Sequence, residues 1–174
     1  MYKKKKQLAH ATGKYTVLDD FLPRHEFLEL KSAIMHADFP WYYTPDINEF
    51  EKKEKSCYFT HIFYSGAVFK RSTHFDILLP LIDKINPRAL LRVKCNLYPV
   101  TAKLTKHKTH IDYNYPHKAA IFSINTCNGA TILEDDTKID SVENRLLLFD
   151  ASKPHSSTST TNDNARININ WNYY

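Results

Sequence analysis

From about residue 88 to the C-terminus the chain is a succession of short strand-like runs. "ALLRVKCNLY", "KAAIFSINT", "ATILE", "TKID", "NRLLLFD", "SSTST" and "ARININWNYY" follow one another. The turn-forming clusters "CNGA", "EDDT" and "TTNDNA" separate them. Asn128-Gly129 is the residue pair that a type I′ hairpin turn requires, so a tight hairpin is expected there. The first half is mixed. "YTVLDD", "FPWYY" and "SCYFTHIFYS" read as strands, whereas "RHEFLELKSAIMHA" after Pro23 places Phe27, Leu30 and Ile34 on one helical stripe, with Met35 at its edge. "STHFDILLPLIDKI" suits a second helix with Ser72 or Thr73 as N-cap; Pro80 either kinks it or marks where it begins. Many short strands after an early helical section predict a mainly β fold with flanking helices, a β-sandwich or jelly roll.

The 174 residues are enough for one domain with its own core. No composition break or repeat divides them, so a basic N-terminus over 1–14, expected to be flexible, is followed by a single domain over 15–174. With 43% hydrophobic and 25% charged residues, the composition is globular. No apolar run is long enough to span a bilayer, no signal peptide is legible, and a cytoplasmic protein without a membrane partner is expected. Cys57, Cys95 and Cys127 are too scattered for a disulfide framework or a paired-Cys zinc site. Gly13, Gly66 and Gly129, the three glycines, cannot build a glycine-rich phosphate loop. The formal charge of +5 owes much to Lys3, Lys4, Lys5 and Lys6, which read first as a solvated terminus and second as a contact for nucleic acid.

His-x-Asp occurs three times, at 36–38, 74–76 and 110–112. On a helix, residues two apart point away from one another, which disposes of the first two pairs. His110 and Asp112 lie in the strand-rich half, where residues two apart share a face, and Ile111 between them is expected to turn into apolar packing. A third metal ligand must come from another strand. His117 is too close to curl back easily, so His155, entering a strand after Pro154, is the better candidate. Two imidazoles and a carboxylate with open positions suit ferrous iron. In "ARININWNYY", alternation puts Arg166, Asn168 and Asn170 opposite Ile167, Ile169 and Trp171. The polar set either meets water or faces a pocket, and an arginine in a pocket is suited to a two-point grip on a carboxylate.

With His110, Asp112, His155 and Arg166 in that order, the chain resembles the Fe(II)/2-oxoglutarate-dependent oxygenases. Asn96-Leu97-Tyr98 and Arg166-Ile167-Asn168 are similar to the Asn-x-Tyr and Arg-x-Asn of the AlkB-type demethylases. "NGATILED" resembles the hairpin of prolyl 4-hydroxylase-like members, and "YTVLDDFLP" resembles openings of compact phage-encoded oxygenases, which would make this a viral protein in a host cytoplasm. Asn172 stands where the AlkB group carries a second arginine, and prolyl hydroxylases generally use lysine at the position of Arg166. The resemblance implies a double-stranded β-helix (jelly roll) and the cofactors Fe(II), 2-oxoglutarate and O2. His110, Asp112 and His155 would hold iron, and Arg166, Tyr98, Asn96 and Asn168 would hold 2-oxoglutarate. The implied activity is a dioxygenase that hydroxylates a protein side chain, a nucleobase or a metabolite.

Tyr113, Tyr115 and Trp41, with the segment 41–56, are expected to contact substrate because of their position beside the metal run. Two other classes compete: a non-catalytic, cupin-like metal-binding sandwich, and a nucleic-acid-binding module in which Tyr42, Tyr43, Tyr113 and Tyr115 stack bases.

Overall fold

The computed structural model describes residues 9–11, 13–45 and 57–174. Its strands are β1 (Ala9–Ala11), β2 (Tyr15–Leu18), β3 (Tyr42–Pro45), β4 (Cys57–Ser65), β5 (Lys70–Arg71), β6 (Leu90–Pro99), β7 (Lys118–Ser123), β8 (Ala130–Ile132), β9 (Lys138–Asp140), β10 (Leu146–Asp150), β11 (Ser156–Ser157) and β12 (Ala165–Tyr173). Two helices, α1 (Arg24–Ile34) and α2 (Leu79–Ile85), fall where the sequence predicts them. A 3-10 turn over Phe75–Leu78 leads into α2, and Pro80 sits in its first turn, so the proline begins the helix instead of kinking it. Ser72 accepts the His74 N–H and shapes the approach, but it is not the N-cap. Strand β1 lies inside the segment expected to be a flexible terminus; Lys3 to Lys6 lie outside the described residues.

The larger sheet is antiparallel throughout and has the order β1-β2-β10-β7-β12-β6-β4-β3, with β5 paired to β4. A smaller sheet, β11-β8-β9, covers part of one face. Successive strands pass from one sheet to the other, as in a jelly roll. The expected Asn128-Gly129 hairpin is one of these crossings. Neither residue has positive φ, which a type I′ turn demands, and the chain leaves the large sheet at Ser123 to join the small one at Ala130.

The pleat sorts residues to two faces with different chemistry. On the helix-covered face, Phe122, Val93, Cys95, Ile167, Ile169 and Trp171 pack with Phe27, Leu30 and Ile34 of α1 and with Leu78 and Leu81. Each large apolar side chain buried there contributes about 1.5–3 kcal/mol. Met35, at the edge of the predicted stripe, ends the helix and is 52% exposed. On the opposite face, Val17, Ala119, Ile121, Leu147 and Phe149 meet Leu133 and Ile139 under the small sheet. Along β6 and β12 this second face is polar: Arg92, Lys94, Asn96 and Tyr98 stand directly opposite Asn172, Asn170, Asn168 and Arg166.

Asn144 joins the run before α1 to the turn before β10. It has a φ of 61°, donates from Nδ2 to the Leu22 carbonyl at 2.9 Å, and accepts the Leu22 N–H on Oδ1 at 2.9 Å. Asn144→Ala should destabilise the fold by about 2–4 kcal/mol, because it strands two buried backbone groups and strains a left-handed residue. Asn144→Gly should recover only the backbone portion. Urea unfolding of the three proteins checks both statements.

Candidate metal centre and cofactor pocket

His110 and His155 are held together by their backbones. The two residues form an antiparallel bridge and exchange both N–H to carbonyl hydrogen bonds, each 2.9 Å long. Two residues on, the Asp112 N–H reaches the Ala151 carbonyl at 3.2 Å. The run is therefore an irregular edge with one bridge, not the regular strand expected for it, and Ile111 faces solvent with 42% exposure instead of packing. The side chains nevertheless converge. Single ligand atoms of His110, Asp112 and His155 all lie within 4.8 Å of one another.

Each imidazole is preset as a metal ligand. Nδ1 of His110 faces the Lys108 carbonyl at 3.2 Å, and Nδ1 of His155 faces the Lys153 carbonyl at 3.0 Å. A carbonyl only accepts, so Nδ1 carries the proton in both rings and the Nε2 lone pair is left for a cation. The backbone at each site thus selects the tautomer. Burial pushes the His155 pKa down, which favours the neutral ring that a metal requires.

Asp112 is nearly enclosed, with its side chain 5% exposed. Arg92 Nη2 donates to Oδ1 at 2.7 Å and Asn172 Nδ2 donates to Oδ2 at 2.8 Å. Burial works to raise the carboxyl pKa; Arg92, Asn172 and the two imidazoles outweigh it and hold the group below its ordinary value. The carboxylate is therefore ionised and fixed in direction before any cation arrives. His117, set aside as a ligand from its sequence position, lies behind this layer with Nε2 3.4 Å from Asn172 Nδ2.

Farther along the same face lies a buried arginine. Arg166 is 1% exposed, and no carboxylate pairs with it among the described residues. Its Nη2 donates to Thr131 Oγ1 at 3.0 Å, its Nη1 lies 3.4 Å from the Thr158 carbonyl, and its Nε has no partner. Burial lowers its pKa, yet a guanidinium stays charged in proteins. A buried, unpaired cation costs several kcal/mol unless an anion joins it. The Tyr98 ring lies 5.7 Å from the guanidinium, and its hydroxyl bonds Ser157, whose Oγ lies 2.7 Å from His107 Nδ1. Burial, with Arg166 nearby, pushes His107 down to about 4, so this ring adds no second charge at neutral pH. Asn96 donates to Asn168 at 3.1 Å across the β6–β12 pair, leaving Asn96 Oδ1 unpartnered. Gly129 makes room: a Cβ there would stand 2.6 Å from Arg166 Cδ and 2.6 Å from the Ser159 carbonyl.

The residues expected to touch substrate fall in two places. Tyr113 and Tyr115 stack on each other at 5.2 Å beside the triad, with the Arg92 guanidinium 5.5 Å from the Tyr113 ring. Trp41 packs against Phe39 and the helix-side core, on the other face of the sheet. Residues 46–56 of the expected substrate segment lie outside the described residues. Arg92, His107 and Thr131 were not singled out from the sequence, and Asn172 was noted only as a departure from the AlkB pattern, not as a support for Asp112. The alternation of "RVKCNLY" could have found Arg92, because it sets Arg92, Lys94, Asn96 and Tyr98 on one face.

Since the Asp112 pKa is depressed in the fold, its interactions contribute stability above the unfolded carboxylate value of about 3.9 and lose it as pH falls through the folded pKa. Arg92→Met should therefore lower the stability of metal-free protein by about 3 kcal/mol at pH 7, with the difference shrinking in acid. The variant should also raise the Asp112 pKa. Urea unfolding across pH, with carboxyl carbon NMR of Asp112, reads both.

No protein-family model and no curated relative matches the sequence. Similarity to solved structures is extensive. An oxidoreductase of the 2OG-Fe(II) oxygenase family from Burkholderia pseudomallei superposes with a TM-score of 0.67 at 11% identity, over 92% of this chain and 85% of the other. A prolyl hydroxylase from Trichoplax adhaerens, solved with a hypoxia-inducible-factor degradation-domain peptide, gives 0.62 at 14% identity over 93% and 84%. The viral collagen prolyl hydroxylase of Paramecium bursaria Chlorella virus-1, solved with 2OG, gives 0.56 at 14% identity over 91% and 95%. The sheet order, the paired histidines and these superpositions agree that the chain has the jelly-roll fold of the 2OG-Fe(II) oxygenases.

Proposed function

We propose that the protein is an Fe(II)- and 2-oxoglutarate-dependent dioxygenase that hydroxylates an organic substrate. The observation that carries this reading is the pairing of a preset two-histidine, one-carboxylate cluster with a buried guanidinium lacking an anion, on one face of one sheet. The donor set fits Fe(II) in type and in its open positions. The pocket fits a dicarboxylate: Arg166 receives the far carboxylate, Tyr98 lies against it, and Asn96 and Asn168 line the stretch between. Bound there, Fe(II), 2-oxoglutarate and O2 supply oxidative decarboxylation coupled to oxidation of a substrate C–H bond.

The chain's own residues do the rest. Lys108 and Lys153 carbonyls keep the imidazole protons on Nδ1, and Arg92 with Asn172 stops the Asp112 carboxylate from turning away. Arg166 binds and orients the co-substrate through an interaction strengthened by exclusion of water. Ser157, itself bonded to the neutral His107, holds the Tyr98 hydroxyl. Tyr113 and Tyr115 are the expected substrate contacts, and a protein side chain, a nucleobase or a metabolite are the candidate substrates. A cytoplasmic location belongs to the same proposal.

Metal analysis after reconstitution, with succinate release from 2-oxoglutarate, tests the reading. Purified protein should bind one iron per chain, develop a weak visible charge-transfer band only when iron and 2-oxoglutarate are both present, and release succinate. A metal-binding sandwich of cupin type would retain iron without releasing succinate. Asp112→Ala should lose iron and turnover together; an active variant with full iron content would remove Asp112 from the triad. Arg166→Ala should raise the KM for 2-oxoglutarate at least about tenfold while leaving iron affinity nearly unchanged. Equal losses in both would remove Arg166 from the co-substrate pocket.

A further inference from the structure

The polar face contains a third cation that neither the triad nor the 2-oxoglutarate pocket uses. Lys94 of β6 stands opposite Asn170, whose Nδ2 lies 3.5 Å from Asp112 Oδ2, so the lysine flanks the triad. It is four residues from Tyr98 on the same strand, about 13 Å at 3.3 Å per residue, which separates it from the Arg166 end. Its ammonium lies 5.5 Å from the Tyr58 ring, and the Tyr58 ring stacks on Tyr98 at 5.6 Å.

Charge pairing on this face is incomplete. Asp112 is held by Arg92 at 2.7 Å, leaving Lys94 with no acceptor within hydrogen-bonding distance among the described residues. The aromatic face of Tyr58 is a weak substitute for a carboxylate. Partial burial, reinforced by the like charge of Arg92 and only partly offset by Asp112, pushes the Lys94 pKa down to about 8. The unpartnered Oδ1 atoms of Asn170 and Asn172 on the opposed strand are acceptors, so they call for a donor and leave the lysine as the group suited to an anion. Filling the site leaves the excess positive: a divalent iron and three cationic side chains outweigh Asp112 and the two carboxylates of 2-oxoglutarate.

Resting on the dioxygenase reading above, we propose that Lys94 receives a negatively charged group of the substrate, a carboxylate or a phosphate, beside the metal. The lysine then acts as a specificity residue: it anchors the substrate's anion and leaves a neighbouring C–H bond of the same molecule facing the metal. Neutral analogues lose the anchor and leave the ammonium unpaired, the asymmetry that makes a buried polar contact selective.

Calorimetric titration of protein loaded with Fe(II) and saturating 2-oxoglutarate under argon, using butyrate, inorganic phosphate and neutral butyramide as probes, tests this. At least one anion should bind, and butyramide should bind more weakly than that anion or not at all. Lys94→Met should weaken anion binding by about tenfold to a hundredfold, whereas Lys94→Arg should preserve it within a few-fold. A preference for butyrate marks a carboxylate substrate, and a preference for phosphate marks a phosphorylated one. If circular dichroism shows the methionine variant unfolded, Lys94→Gln replaces it. The proposal is overturned if neither anion binds, if butyramide matches butyrate, or if removing the Lys94 charge changes nothing. It is also overturned if Arg166→Ala abolishes anion binding while Lys94→Met does not, because the anion then occupies the co-substrate pocket. The charge-transfer band, recorded before any probe is added, reports separately on the dioxygenase reading.

Discussion

The two backbone hydrogen bonds exchanged by His110 and His155 fix everything that follows in the site. Histidines from an irregular edge and from the entry to a two-residue strand have little local structure to direct them. Paired directly across a bridge, they present their rings together, with centroids 4.6 Å apart. The bridge also sets where Asp112 falls, because the next contact in the same direction is its N–H on the Ala151 carbonyl. The side-chain protons are then assigned locally, each Nδ1–H donating to a carbonyl two residues earlier. The convergence of the candidate ligands is thus a property of main-chain pairing.

The second organising feature is a sheet buried on both faces, one of them polar along β6 and β12. In a half-exposed antiparallel sheet the polar face meets water. Here the apolar face of β12 lies under α1 and α2, while its polar face, Arg166 to Asn172, is buried beneath the small sheet and the 105–112 edge. Buried polar side chains normally satisfy one another, yet Arg166 Nε, Asn96 Oδ1, Asn170 Oδ1, Asn172 Oδ1 and Arg92 Nε have no partners. These five atoms lie on the polar face of β6 and β12, whereas a sixth, Trp171 Nε1, lies on the helix-covered side. Charge follows the same line: Arg166 at one end, Arg92 and Lys94 beside the carboxylate at the other.

This arrangement explains why a site can be preorganised and still cost the fold something. The cations are carried on the two central strands, β6 and β12, whose paired register leaves them little freedom. Trp171 and the rest of the helix-side core hold those strands from behind. Rigidity on one face thereby supports unpaired charge on the other, and an anionic ligand recovers part of that cost on binding.

The order of strands, the helical stripe of Phe27, Leu30 and Ile34, and the alternation of β12 were legible in the sequence because burial on a sheet or helix imposes a period of two or 3.6. The candidate metal ligands were legible too, as types at suitable spacing. What alternation could not tell was which face of β12 met solvent, because that depends on a second sheet that lies elsewhere in the chain. Nor could it show that Asn128-Gly129 crosses between sheets, with the glycine needed for the passage of Arg166 and not for a turn. The support of Asp112 by Arg92 and Asn172 was hidden for the same reason: neither residue is near Asp112 in sequence. The sequence by itself determined the elements and the kinds of ligand, through local periodicity and side-chain chemistry. Only the tertiary structure decided which of them meet and which charges go unpaired, because strand pairing joins residues whose separation along the chain leaves no local trace.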